Sequence, residues 1–478
     1  MIFDFFRRKP IFFYNTLVKS KERFRHPKRK AVRLYHCGPT VYDNAHIGNL
    51  RSYVFSDTLR RALEINGYRT EQVINITDVG HLSSDADEGE DKMTKSLARS
   101  GKTLTLDNMY ALGTFYMNAF IKDLEALNIL MPHFMPRASE HIAEDIELIS
   151  RLEKKGFIYK TEHGVYFDTS KDKDYGKLGG IDVDVKVMHS RLQSTEKKAS
   201  RDFAVWKFSK DAIGWESPWG KGYPGWHIEC SVMAMHYLGK TIDIHTGGQD
   251  HIPIHHNNEI AQSESATGRT FAKIWMHNAF LTISDGKMSK SAGNFLTLDE
   301  LEENGVSPLG YRMWLLQASY RSPMNLSWEA LSSAEDSYTK LLNFVSALPS
   351  PHGTPDKKIV GDFIRDVNDD LNTAKAISKL WATIHDTSLA PDLKHATILE
   401  MDKVLGLKLR EAREILRARA SRVPADVIAL AEEREEARKN KNWQHSDVLR
   451  IAIEQKGYTV EDRADGYKLQ KNPQCRLF

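Results

Sequence analysis

Two hydrophobic patterns alternate along the chain, and the change from one to the other divides it. Residues 31–36, AVRLYH, form a short apolar run suited to a buried strand. The turn CGPTVYDNAHIGN follows. In RSYVFSDTLRRALEINGY, the positions Val54, Phe55, Leu59, Leu63 and Ile65 roughly follow helical spacing, and Gly67 supplies a stop. TEQVINITDVG then reads as a strand with no breaker until Gly80. Strand, turn, helix and strand make a βαβ unit, which implies a parallel sheet covered by helices. The acidic stretch SSDADEGEDK reads as a solvated loop. Residues 105–156 carry helical patterns, and 157–215 look mixed and irregular. The α/β pattern then returns. GWHIECSVMAMHYLG predicts a helix, TIDIHTGG a strand and turn, and IPIHHNNEIAQSESATG a helix closed by glycine.

From about residue 330 onward strand signals nearly vanish. AEDSYTKLLNFVSAL, VGDFIRDVNDDL, TAKAISKLWATIHD and ATILEMDKVLGL predict the amphipathic helices of a bundle, with Asn372 or Thr373 capping the third. Pro424 marks a boundary. DVIALAEEREEARKNKNWQHSDVLRIAIEQKGY predicts two further helices, and YTVEDRADGYKLQKN a short β-like tail. The chain contains no internal repeat.

Composition narrows the class. A chain of 478 residues holds about three domains of ~150 residues each. With 41% hydrophobic and 27% charged residues, it has the balance of an ordinary soluble globular protein. A net charge of +3 excludes a polycation, so any nucleic acid must be gripped by local patches. The three cysteines, Cys37, Cys230 and Cys475, lie far apart and form no disulfide framework, which suits a reducing cytosol. The aromatic start is broken by Asp4, Arg7, Arg8, Lys9 and Pro10 and lacks the apolar core of a signal peptide. No run of ~18 apolar residues predicts a membrane span.

Several segments can carry chemistry. Gly220-Lys221-Gly222-Tyr223-Pro224-Gly225 spells G-x-G-x-x-G, but GWESPWG precedes it instead of a strand, so it reads as a structural loop. His46-Ile47-Gly48-Asn49 lies between strand and helix, where a helix N-terminus can face a phosphate and the glycine permits close approach. Lys287-Met288-Ser289-Lys290-Ser291, flanked by Gly286 and Gly293, can deliver two cations to a reaction that expels pyrophosphate. His255 and Glu259, at i and i+4, share a helix face. With Cys37 and Cys230 they make a zinc-compatible set. On spacing alone this set is equally compatible with two structural cysteines and ordinary polar helix residues. His256, at i+3 from Glu259, competes as a ligand.

The HIGN turn and the KMSKS loop together resemble the signature pair of class I aminoacyl-tRNA synthetases. YNTLVKSKERF, CGPTVYDNAHIGN, NITDVGHL, GWHIECSVMAMHYLG, HHNNEIAQSE, WMHNAFLTISDGKMSKSAGNF and DDLNTAKAI resemble, in order, the blocks of the cysteinyl-tRNA synthetase family. The likeness runs from about residue 13 to residue 470.

The resemblance implies an α/β protein. A Rossmann-like parallel-sheet catalytic domain with an insertion precedes a helical bundle and a small α+β anticodon-binding domain. The expected segments are 1–125 and 223–276 for the catalytic halves, 126–222 for the insertion, and 277–345 for the KMSKS loop and stem-contact region. The bundle takes 346–420 and the anticodon-binding domain 421–478.

The resemblance also implies one zinc ion on Cys37, Cys230, His255 and Glu259. His46, Asn49, Lys287 and Lys290 take the catalytic positions. Gly38, Thr40, Gly48, Thr77, Trp226, His227, Gly248 and Asp250 join them around cysteine and ATP, which arrives with Mg2+. Arg438, Trp443, Asp447 and Asp462 match positions that read the anticodon. The expected partners are tRNA(Cys), L-cysteine and ATP, with no membrane, for a monomer in the cytoplasm.

Two departures from the family pattern stand out. The usual HIGH reads HIGN, so Asn49 can donate a hydrogen bond but cannot become charged. Ile252-Pro253-Ile254-His255-His256-Asn257 shifts the proline one place and puts Asn257 where the family has a glutamate. Two rival readings use the same residues. One is a cysteine ligase of the mycothiol-pathway type, opposed by the C-terminal helices with Arg438 and Trp443. The other is a non-catalytic zinc-containing RNA-binding protein, opposed by the KMSKS loop.

Overall fold

The computed structural model describes residues 9–27, 29–79, 92–179, 197–209, 213–283, 286–287, 296–351, 353–421, 423, 425–463 and 466–471. Gly80, nearly all of the acidic stretch, residues 288–295 with Lys290, Pro424 and Cys475 lie outside the described residues. Lys287 is described only in its backbone, within the short strand Gly286–Lys287.

The α/β half is built on β1 (Val32–His36), α1 (Ile47–Ile65), β2 (Thr70–Ile74), α2 (Trp226–Leu238), β3 (Ile242–Gly248), α3 (Asn257–Thr267) and β4 (Ala272–Asn278). The four strands pair in parallel in the order β4-β3-β1-β2. Tyr35 stands opposite Val73 on one side and His245 on the other. Helices cover both faces, which is why these strands read as near-continuous apolar runs. Val32, Tyr35, Val73, Ile242 and Ile244 are all fully buried. The chain leaves β1 toward β2 and leaves β3 toward β4 on the opposite side. The carboxyl ends of β1 and β3 therefore flank a topological switch point, where open α/β sheets bind ligands.

α1 starts at Ile47, earlier than the apolar pattern from Arg51 predicts. The cause is local: His46 is the N-cap, and its Nδ1 accepts from the Asn49 amide at 3.2 Å. A polar cap leaves no mark on hydrophobic periodicity.

Between β2 and α2 run the helices Leu106–Ala126 and Ile142–Lys154, as the pattern predicts. The segment expected to be irregular contains ordered strands. Ile158–Lys160, Gly164–Phe167, Phe203–Phe208 and Gly222–Pro224 form a four-stranded antiparallel sheet. Gly164–Phe167 is buried on both faces, so it lacks the alternation that marks a half-buried strand. The G-x-G-x-x-G run belongs to this sheet. A β-carbon on Gly222 would lie 1.9 Å from the Lys207 carbonyl oxygen, so the glycine serves strand packing.

The helices Trp328–Ala347, Lys357–Val367, Thr373–His385, Pro391–Leu405 and Ala412–Ser421 form the bundle. Asn372 caps the third, its side chain accepting from the Lys375 amide. The bundle core is continuous with the sheet: Leu34, Leu59 and Ala62 pack in one cluster with Leu341, Val367, Leu380 and Val404. Asp57 on α1 joins the two. It accepts from Arg61 at 2.7 Å, Arg312 at 2.5 Å and the Leu130 amide at 2.9 Å. Arg312 also donates to the Leu405 carbonyl at 2.7 Å. The C-terminal module has its own small core of Val427, Ala431, Ile453 and Val460 under the hairpin Tyr458–Arg463 and Gly466–Lys471.

Candidate active site and metal centre

The switch point collects side chains that are far apart in sequence. Cys37 follows β1 directly. Cys230 lies one turn into α2. His255 sits in a wide π turn, Ile252–His256, that runs into α3, and Glu259 is in the first turn of α3. One donor atom from each lies within 4.8 Å of the others, and all four residues are buried. Such turns recur at functional sites because they re-aim a side chain. Here the turn leaves His255 Nε2 2.9 Å from Glu259 Oε1.

Outer partners fix these groups. His227 Nδ1 lies 2.9 Å from His255 Nδ1, so His255 turns Nε2 toward the centre. His245 Nε2 holds the other Glu259 oxygen at 2.7 Å, and its ring stacks on Trp275 at 4.4 Å. His256 also reaches the centre, with Nε2 3.3 Å from Cys37 Sγ. Its Nδ1 contacts His277 at 2.8 Å. A second set, Cys37, His245, His256 and Glu259, therefore overlaps the first. Both sets have an imidazole with an outer partner, but the first has two sulfur donors against one, which suits a thiophilic ion better.

The electrostatics agree. The Cys37 hydrogen bond, against the effect of burial, lowers the Cys230 thiol to about 7. Burial and the Cys230 contact push Cys37 well up. Burial opposes a charged His255, but Glu259 and Cys230 outweigh it and raise the imidazole to about 10. Burial likewise opposes ionisation of Glu259, yet His245 and His255 hold it well below the carboxylate range. Protons and histidines compensate the negative donors, as a divalent ion would. The residues present fit zinc.

Asn257 has a role that a carboxylate could not fill. Its Nδ2 donates to the carbonyls of Ile252 at 2.7 Å and Gly179 at 3.0 Å, while Oδ1 accepts from the Leu178 amide at 3.1 Å. The amide thus ties the π turn to the segment beside it. Gly247 permits the same close packing: a β-carbon there would lie 2.8 Å from both His251 Nδ1 and His256 Cε1.

The remaining candidates surround this centre. Gly38 donates its amide to Asn75 Oδ1 at 2.8 Å, and a β-carbon on it would lie 1.5 Å from the Asn75 carbonyl oxygen. Thr40 bridges to Thr77. Thr77 is buried and donates to Glu229 Oε2 at 3.3 Å. Burial, then Asp78, raises the Glu229 carboxyl well above its usual range. The Trp226 ring lies 4.4 Å from that of His255. Gly248 ends β3, and the exposed Asp250 lies in the short turn that follows.

The HIGN turn stands at the start of α1. The Ile47 amide donates to the Leu296 carbonyl at 2.8 Å. Leu296 is the first described residue after the lysine segment, so the chain returning from that segment pairs with the helix start. Among the described residues nothing accepts from the Gly48 amide, which is available to an anion. Asn49 is exposed.

Arg438, Trp443, Asp447 and Asp462 lie in the C-terminal module. The Arg438 guanidinium is 5.6 Å from the Trp443 ring centroid, and Trp443 is 56% exposed. Asp462 is bound by Arg434 at 2.6 and 3.1 Å and by Arg438 at 3.0 Å. Asp447 is exposed. Sequence reasoning missed His245, His277, Asn75, Glu229 and Arg434. The available signal for His245 was a histidine inside an otherwise apolar parallel strand, a place where a polar group must have a partner.

Comparison with known proteins accords with this geometry. Residues 23–336 match the family of tRNA synthetases class I (C) catalytic domain. The chain is 45% identical to cysteine–tRNA ligase 1 of Burkholderia lata, over 96% of this chain and 97% of that one. It is 40% identical to the cysteine–tRNA ligase of Treponema denticola, over 94% and 97%. Among solved structures it is similar to Mycobacterium tuberculosis methionyl-tRNA synthetase bound by methionyl-adenylate. That likeness has a TM-score of 0.56 at 16% identity and covers 81% of this chain and 94% of that one, which bears on fold alone. With the parallel sheet, the HIGN helix start and full-length relatives, the chain belongs to the cysteine–tRNA ligase family of class I tRNA synthetases.

Proposed function

We propose that the chain activates L-cysteine with ATP and transfers it to tRNA(Cys). The single observation that carries this reading is the buried quartet of Cys37, Cys230, His255 and Glu259 at the switch point, next to the HIGN helix start. When bound there, zinc supplies a soft Lewis acid that prefers a thiolate to a hydroxyl. Thr77, Trp226 and His227 line the amino-acid pocket, and Gly248 and Asp250 border the nucleotide.

The reaction needs no side-chain nucleophile. The cysteine carboxylate attacks the α-phosphorus of ATP in line, and the bond to the β-phosphate oxygen breaks, giving cysteinyl-adenylate and pyrophosphate. The 3′-terminal adenosine of the tRNA then attacks the activated carbonyl and releases AMP. Positioning and charge stabilisation provide the rate. His46 caps α1 through Nδ1, at the helix end where the phosphates of ATP would lie. The Gly48 amide adds a donor at the positive end of the helix. Lys287 and Lys290 neutralise the departing pyrophosphate, with Mg2+ accompanying ATP. Arg438 and Trp443 provide a cationic and stacking surface for the anticodon. No described helix is long and apolar enough to cross a membrane. The family reading adds a monomer that works in the cytoplasm.

ATP–pyrophosphate exchange with and without cysteine, followed by charging of tRNA(Cys), tests the reading. Exchange that depends on cysteine, and a cysteinyl ester on the tRNA, are expected. Exchange without charging would point to a ligase for a smaller acceptor, and no exchange would refute the proposal.

A further inference from the structure

The insertion helix Ile142–Lys154 meets the far end of α2. His141, its N-cap residue, and Glu144, in its first turn, face His236 in the last turn of α2. One donor atom from each lies within 4.8 Å of the others. Both imidazoles turn Nδ1 to one carboxylate oxygen: each lies 3.5 Å from Glu144 Oε1. That spacing is too long for a good hydrogen bond. It is close to the edge of a tetrahedron of N and O ligands around zinc, about 3.3–3.4 Å for metal–ligand bonds of ~2.0–2.1 Å.

His141 supplies an independent sign. Its side chain is 6% exposed, and its Nδ1 is buried without a hydrogen-bond partner among the described residues. Its Nε2 lies 3.3 Å from the Tyr237 hydroxyl. With the ring proton on Nε2, directed at Tyr237, Nδ1 keeps a lone pair in the gap. Ligating imidazoles are oriented in this way. The side chains of His236 and Glu144 are 46% and 36% exposed, so an ion can enter from solvent and keep water as its remaining ligand. Two imidazoles and one carboxylate suit zinc, cobalt, nickel or copper better than magnesium or calcium.

We propose that His141, Glu144 and His236 form a second metal site, for a divalent transition-metal ion of the zinc class. His236 lies six residues beyond Cys230 on α2, about 9 Å along the axis, so the ion clamps the insertion helix to the helix carrying Cys230.

The test is titration of the full-length, zinc-loaded chain with Co2+, followed by visible absorption. One further equivalent is expected, with ligand-field bands and no thiolate-to-cobalt charge transfer. Glu144→Gln and His236→Gln should each weaken this equivalent at least about 10-fold, since loss of even an outer partner costs that much, while the zinc already bound stays. Both side chains are partly exposed, and retention of the first ion reports that the variants are folded. Cys230→Ser should lose the first ion and keep the second, which separates this site from the proposed active centre. Absence of a second equivalent, a charge-transfer band on it, or affinity unchanged in both variants would overturn the proposal.

Discussion

Asp57 in the catalytic half and Asp462 in the C-terminal module are both carboxylates held by arginines, and burial makes them different devices. Asp57 and Arg312 are fully buried, and the remaining guanidinium donors end on carbonyls of Leu127, Asn128, Lys403 and Leu405. Every charge there is consumed within the protein. Asp462 is 31% exposed and is shared by Arg434, Arg438 and Arg450, of which only Arg434 is buried. Arg438 lies over the exposed Trp443. The same ion-pair chemistry joins α1 to the bundle in one place and holds cations open to an incoming polyanion in the other. The candidate metal centre follows the first pattern: it is sealed, with His255 backed by His227 and Glu259 by His245. Under the proposed function, activation belongs to the sealed half and tRNA reading to the open one.

Substitutions that should affect one half and spare the other test this division. The largest effect is expected from Cys230→Ser, which should abolish metal binding and lower cysteine-dependent exchange by at least about 100-fold, since ligand loss exceeds the 10–100-fold cost of losing an outer partner. Metal analysis and exchange on the same preparation check it. Exchange that survives with no metal bound contradicts it.

Asp57→Asn should destabilise the protein by about 3–5 kcal/mol, because it leaves Arg312 buried without its counter-charge. Asp462→Asn should cost less, because Asp462 is partly exposed to solvent, which screens its charge, and the amide oxygen can still accept from the buried Arg434. Thermal unfolding of both variants compares them directly. The pH dependence has a definite sign. Burial opposes ionisation of Asp57, but Arg312 and Arg61 outweigh it and hold its folded pKa below the usual ~3.9. The native state therefore binds the proton less readily than the unfolded chain. The stabilisation is full above about pH 4 and lost as pH falls through the folded pKa. The gap between wild type and Asp57→Asn should close in acid.

An effect confined to tRNA is expected at Trp443. Trp443→Ala removes a stacking face of about 1–3 kcal/mol, so tRNA charging should fall roughly 5- to 150-fold while exchange is unchanged. An equal fall in both assays would mean that the module supports the catalytic half structurally.

The sequence made the sealed half partly legible. The βαβ pattern placed Cys37 after a strand, and helical spacing placed His255 and Glu259 on one face. Contact between these residues and Cys230 is a property of strand order, which hydrophobic periodicity does not encode. His245 and His277 escaped notice because a buried polar partner occupies a strand position like any other residue. The antiparallel sheet around Gly164–Phe167 escaped because strands buried on both faces lack alternation. In the open half the helices and hairpin were legible, but Arg434 was hidden in a run of charged residues that reads as solvated throughout.

The proposed metal selects a thiolate, and substrate discrimination tests that selection most directly. A pocket that measured shape alone would separate cysteine from serine by only ~10–200-fold. The measurement is kcat/KM for cysteine and for serine in ATP–pyrophosphate exchange by the metal-replete chain. The account predicts a preference for cysteine above about 10⁴, the range reached when a site is built around one substrate group. Serine activated within about tenfold of cysteine would contradict it.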